Sequence, residues 1–235
     1  MQDFTESFWS SLTLIFTGDA ELWSIVILSL QVSLMAVALA ALMGVPTGAL
    51  LAVGKFRGRQ GIIIFVNSLM GLPPVVVGLC VYLMLSSAGP LGVLDLLYTP
   101  TAMIIAQTIL ITPIIAALSR ETIQAVHEEY RDQFTSLCLN NWQRLQALLW
   151  EARFSLLTAL LAGFGRAIAE VGAVMIVGGN INHLTRVMTT SIALETSKGN
   201  LSVALALGTI LVLIAILVNA ALAVVGTRRR EAMHV

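Results

Sequence analysis

The chain has 235 residues, of which 57% are hydrophobic and only 11% charged, and its 13 basic and 13 acidic residues cancel to a formal net charge of zero. A soluble domain carries roughly 25% charge, so this composition, with a mean hydropathy of +0.90, excludes an ordinary soluble enzyme and places the chain in a membrane. Five windows hold enough apolar residues for the roughly 20 that a helix needs to cross the hydrocarbon core.

Residues 1–20 form a polar and aromatic lead, read as an interfacial turn around Phe4, Phe8 and Trp9. These first residues are acidic and lack the basic n-region of a cleavable leader, so the N-terminus is expected to be retained. The first span covers about 22–54, longer than a bilayer demands, with Gly44 and Pro46 favouring a bend in its last third. The second, about 62–85, contains MGLPPVVVG. Pro73 and Pro74 remove amide donors at membrane depth, which is tolerated only where protein or a water-filled path satisfies the freed carbonyls. A third span, about 101–119, carries Thr112 and Pro113. Pro73, Pro74 and Pro113 either kink helices for packing or serve a gate, and the sequence leaves both open.

Residues 120–154 are the one long hydrophilic segment, too short for a soluble catalytic domain. Two short helices are expected there, through EEYRDQFTSL and WQRLQALLWEARF, with Asn140 and Asn141 between them and asparagine suited to capping the second. The fourth span, about 155–178, contains GFGRAIAEVGAVMIVGG, in which Arg166 and Glu170 stand four residues apart on one helical face. Pairing lowers the cost of an intramembrane charge, and the surrounding glycines suit a bundle interior. A structural ion pair is therefore preferred to direct contact with a substrate. An interfacial or re-entrant helix should follow, and the fifth span, about 201–225, ends at Arg228, Arg229 and Arg230. The whole is expected to be one all-α transmembrane domain over 1–235.

Charge sorting orients it. Lys55, Arg57 and Arg59 follow the first span, and Arg120, Arg131, Arg144 and Arg153 the third, whereas Asp3, Glu6, Asp19, Glu21, Asp95 and Glu195 collect at the opposite ends. Basic loops stay cytoplasmic, so the N-terminus is expected outside and the C-terminus inside. Cys80, within a span, and Cys138, in a cytoplasmic loop, should be free thiols. His127, His183 and His234 are scattered across different loops, no HExxH, CxxC, GxSxG or GxxxxGK[ST] occurs, and no cofactor or metal site is implied. Arg186 is the cation expected nearest the outer mouth, as an interfacial anchor or as part of the path.

The hydrophilic segment resembles the coupling segment of permease subunits of ABC importers, which reads E-A-A, then Gly, then a Trp-containing stretch and Leu-Pro. Asp132, Gln133 and Phe134 occupy the E-A-A positions, Cys138 the glycine, Trp142 the aromatic, and Trp150 and Glu151 the Leu-Pro region, so the Gly and Pro of the pattern are absent. GFGRAIAEVGAVMIVGG followed by LTRVMTTSIAL is similar to the molybdate, tungstate and sulfate permeases, and the phrase ALETSKGN resembles the tungstate members most. The resemblance implies a type I ABC importer permease fold and a homodimer that forms the path. It implies two ATP-binding cassette subunits that hydrolyse ATP, so that this chain itself is not an enzyme, and an extracytoplasmic oxyanion-binding protein. Asp132, Leu137, Cys138, Asn140, Asn141 and Trp142 would then dock the ATPase, and Pro73, Pro74, Thr112, Pro113, Glu170, Gly172 and Arg186 would line the path. A molybdate or sulfate permease is the alternative within the family. An ion-coupled secondary transporter is the alternative outside it, though Glu170 alone is thin for a coupling-ion site.

Overall fold

The computed structural model describes the backbone of residues 4–233 and the side chains of 8–140 and 142–224; the side chains of Phe4, Asn141 and the three closing arginines, and all of His234, lie outside the described residues. Among the described residues every regular element is helical. The order is α1 (Phe4–Thr17), α2 (Ala20–Val53), α3 (Arg59–Leu69), α4 (Pro74–Leu85), a 3-10 turn (Gly92–Leu94), α5 (Pro100–Glu129), α6 (Arg131–Ser136), α7 (Asn141–Ile168), α8 (Gly172–Gly178), α9 (Met188–Lys198) and α10 (Leu201–Met233). Four helices are long and apolar enough to cross a membrane, or five spans if α3 and α4 count as one broken span.

Local chemistry sets these boundaries. Asp19 Oδ1 accepts the Leu22 amide at 2.9 Å and starts α2, and Thr99 Oγ1 accepts the Ala102 amide at 3.4 Å ahead of Pro100 at the first position of α5. Pro74 likewise sits at the first position of α4, where its missing N–H costs nothing. The Pro-Pro break is thus an interruption between α3 and α4. Pro113, by contrast, lies inside α5, which continues through it to Glu129.

Two compact units make up the chain. One comprises 1–36, 73–107 and 165–218. Its core includes Met103, Val174, Val177, Met188 and Leu207, all nearly inaccessible, and Ser29 Oγ accepts the Met188 amide at 2.8 Å to fix the start of α9. In this unit α4 and α8 pack backbone to backbone: a Cβ on Gly78 would stand 2.8 Å from the Ala173 Cα, so only glycine permits the approach.

The other unit comprises 37–72, 108–164 and 219–235. Its core joins Ala49 and Ala52 of α2, Ile123 and Val126 of α5, Phe134 of α6, and Leu148, Ala152 and Leu156 of α7. Arg59 closes α2 by donating from Nε to the Leu51 carbonyl at 2.7 Å and from Nη2 to that of Ala52 at 3.3 Å, satisfying carbonyls the helix end leaves open.

Candidate functional site

The segment after α5 is a short helix, a tight turn and a capped helix. Phe134 is the one buried residue of α6; it stacks on Tyr130 with centroids 5.9 Å apart and enters the core of its unit. That burial ties a six-residue helix, too short to persist alone, to the ends of α2, α5 and α7. After α6 the Cys138 amide donates to the Thr135 carbonyl at 3.1 Å and the Leu139 amide to that of Phe134 at 3.3 Å. This bond pair is a Schellman ending. Cys138 takes the left-handed position at φ +50°, the conformation that ordinarily calls for glycine. The residue at the glycine position of the coupling pattern therefore takes a backbone conformation that glycine adopts without strain.

Asn140 then caps α7. Its Oδ1 accepts the Gln143 amide at 2.8 Å while Gln143 Oε1 accepts the Asn140 amide at 3.0 Å, a reciprocal capping box. Around this fixed turn the apolar side chains of Leu137 and Trp142 are 68% and 66% exposed, with Asp132, Cys138 and Asn140 exposed beside them. The segment expected as two short helices is instead α6 plus the first turns of α7, which runs unbroken to Ile168. On that helix Trp150 is exposed, with the Arg153 guanidinium 4.4 Å from its ring centre.

In the other unit, Arg166 and Glu170 do not share one continuous helix. The chain expected to cross as a single span breaks at 169–171, with Arg166 in the last turn of α7 and Glu170 inside the break. Arg166 Nη1 nonetheless lies 2.6 Å from Glu170 Oε2. The second carboxylate oxygen accepts the Ala173 amide at 3.2 Å, at the start of α8. The carbonyls released by the break are taken up by neighbours: Gln107 Nε2 donates to Ala167 O at 3.1 Å and Thr189 Oγ1 to Glu170 O at 2.9 Å. Glu170 is 5% exposed, and both its side-chain oxygens and its carbonyl accept hydrogen bonds, as the burial of a polar group demands.

The remaining expected path residues are divided between the two units. Gly172 opens α8 against Val75, the residue after Pro74, so Pro73, Pro74, Glu170 and Gly172 meet where α4 and α8 begin. Thr112 and Pro113 belong to the other unit, where Pro113 is buried and Thr112 Oγ1 donates to the Thr108 carbonyl at 2.7 Å. Arg186 donates to Asn182 Oδ1 at 3.0 Å and lines a cavity of about 170 Å³ together with Asp19, Glu21 and Glu195. The Lys198 ammonium hydrogen-bonded to Glu195 holds that carboxyl below its usual range. Arg186 thus stands among acids. Cys80 and Cys138 are both free and exposed. Nothing along the sequence marks Phe134 as an anchor, or Gln107 and Thr189 as supports of the break. Only the Asn140–Gln143 spacing carried a readable signal, that of a capping box.

Residues 44–231 match the family model described as binding-protein-dependent transport system inner membrane component. The chain belongs to that family. A probable anion ABC transporter permease protein of Haloferax volcanii is 42% identical, with 88% of this chain and 90% of the relative covered. The tungstate uptake system permease protein TupB of Peptoclostridium acidaminophilum is 40% identical over 94% of this chain and 96% of its own. Among solved structures, a chain of the inward-facing MetNI methionine ABC transporter superposes with a TM-score of 0.69 at 16% identity, covering 88% of this chain and 94% of that one. At that identity the likeness speaks for the fold alone, a type I ABC importer permease fold, as the sequence led one to expect. This family member is a multi-pass membrane protein and a transport subunit, not an enzyme. ABC importer permeases work with ATPase and binding-protein partners, so the chain is one component of a larger machine.

Proposed function

We propose that the chain is the permease of a tungstate importer, acting as a homodimer with two ATP-binding cassette subunits and an extracytoplasmic oxyanion-binding protein. The N-terminus lies outside and the C-terminus inside, as the charge sorting requires. ATP-driven closure of the ATPases draws the two coupling segments together and opens the path outward; hydrolysis reopens it inward, an alternating access by rigid-body movement. Asp132, Leu137, Cys138, Asn140, Asn141 and Trp142 form the docking surface, with Trp142 and Leu137 entering an ATPase groove. Pro73, Pro74, Thr112, Pro113, Glu170, Gly172 and Arg186 belong to the path, which holds the anion weakly enough for it to leave.

One observation carries the coupling part of this reading: a hydrogen-bonded turn, anchored by buried Phe134, holds two large apolar side chains out in the open, in a chain of the importer family. The substrate rests on the similarity to a tungstate uptake permease over nearly its full length. The test is reconstitution with the cognate ATPase and binding protein. Trp142→Ala should abolish stimulation of ATP turnover by the loaded binding protein and abolish tungstate uptake, while the protein stays in the membrane. Unchanged stimulation refutes the docking surface, and uptake of molybdate or sulfate in place of tungstate refutes the substrate.

A further inference from the structure

The unit that carries the segment after α5 also holds a groove of about 1100 Å³ that its described side chains leave unfilled. One wall is apolar and belongs to the last turns of α2: Val45, Pro46, Ala49, Leu50 and Val53, with Leu50 67% exposed. At 1.5 Å per residue that wall runs about 12 Å along the helix axis. Its end and far side are cationic, formed by Lys55, Arg131 and Arg144 with His127 among them. None of the ion pairs found among the described residues involves these three cations. Glu128, the carboxylate that lines the groove, accepts from Gln124 Nε2 at 3.0 Å. His127 Nδ1 and Arg144 Nε are inaccessible to solvent and make no hydrogen bond. Burial first, then Arg144 and Arg131, hold the His127 imidazole below its ordinary value, with Lys55 adding to them and Glu128 opposing.

We propose that this groove binds an anionic phospholipid, its phosphate held by Lys55, Arg131 and Arg144 and part of one acyl chain lying along Val45 to Val53. Only an amphiphile satisfies both walls. A free oxyanion would leave the apolar wall bare, and an acidic protein segment would have to reach about 12 Å into a membrane-spanning helix to cover it. Basic residues just beyond a span draw anionic headgroups, and here Arg131 stands on α6, Arg144 on α7 and Lys55 just past the end of α2, around a groove of ligand size. The site is separate from the transported anion and lies in the cytoplasmic leaflet if the orientation proposed above holds. The lipid would bridge the end of α2 to α6 and so stiffen the seat of the coupling turn.

The delipidated full-length protein, titrated with phosphatidylglycerol and with phosphatidylcholine under native mass spectrometry, should prefer the former. Lys55→Gln should weaken phosphatidylglycerol about fivefold and the Arg131→Gln/Arg144→Gln pair about twenty-five-fold, at the strength of one juxtamembrane cation each. Arg57→Gln, the same charge change outside the groove, should leave it unaltered. Because the double variant could misfold, the wild-type protein is also crosslinked to phosphatidylglycerol carrying a diazirine on its acyl chain, with label expected in the peptides holding residues 45–53 and 145–149. Equal binding of the two lipids, equal loss with Arg57→Gln, or label elsewhere overturns the proposal. Displacement of the lipid by millimolar inorganic phosphate would make the groove a plain anion site, and loss of the crosslink on adding the ATPase would make it part of that partner's interface; either contradicts it.

Discussion

Cys138 sits in a left-handed backbone region that costs an L-residue roughly 1–2 kcal/mol, at φ +50°. Glycine would remove that strain but would give back part of the gain as extra freedom in the unfolded chain. Cys138→Gly should therefore stabilise the protein by about 1 kcal/mol, seen as a higher unfolding temperature in detergent, while Cys138→Val should lower it. A second residue-scale test concerns Glu170. Replacing it by leucine leaves Arg166 and the Ala173 amide without their acceptor. Losing one partner of a buried pair costs 3–5 kcal/mol, and since the Arg166 side chain is 40% exposed, about 2 kcal/mol is expected here. Glu170→Gln, which keeps an acceptor for the amide, should cost less. His127 gives a pH signature. Its folded value is depressed below 6.5, so between the two values the unfolded state binds more protons, and stability falls as pH drops through that window. Thermal unfolding at pH 5 against pH 7 should show the loss, and His127→Gln should shrink it.

At the scale of elements, the segment proposed for coupling is shaped by a six-residue helix held by one aromatic anchor and a capped neighbour. Phe134→Ala should cost about 3–5 kcal/mol and loosen the turn. Asn140→Ala should cost about 1 kcal/mol and leave the anchor in place. Unfolding of the two variants in parallel checks the ordering. Much of this element was legible. The Asn140 cap and the coupling-like order of residues stand in the sequence itself, as does the break at Pro73 and Pro74. The unbroken run of α7 was not legible, because the change from polar to apolar residues near Phe154 mimics a boundary, yet no glycine or proline stands between Asn141 and Ala162 to end a helix. The break at 169–171 was equally hidden. Ala169, Glu170 and Val171 contain no helix breaker, and the carbonyls they free are satisfied by Gln107 and Thr189 from distant parts of the chain. Pattern along a sequence cannot report a bond that depends on tertiary neighbours.

At the scale of the whole molecule, membrane insertion, an all-helical fold and an importer-family permease were all within reach of composition and the resemblance around Gly163–Gly179. The residues proposed for the path were less accessible: that Arg186 shares a cavity with three carboxylates depends on tertiary neighbours that the sequence does not pair with it. In the proposed assembly an ATPase covers the exposed turn at Leu137–Trp142. Cys138 provides a native reporter there, being free and exposed. With Cys80→Ser to silence the other thiol, a membrane-impermeant maleimide should label Cys138 in the isolated permease, only from the cytoplasmic side of sealed vesicles, and should fail to label it once the ATPase subunits are bound. Labelling from the exterior, or labelling at the same rate with the ATPase in place, would contradict the account.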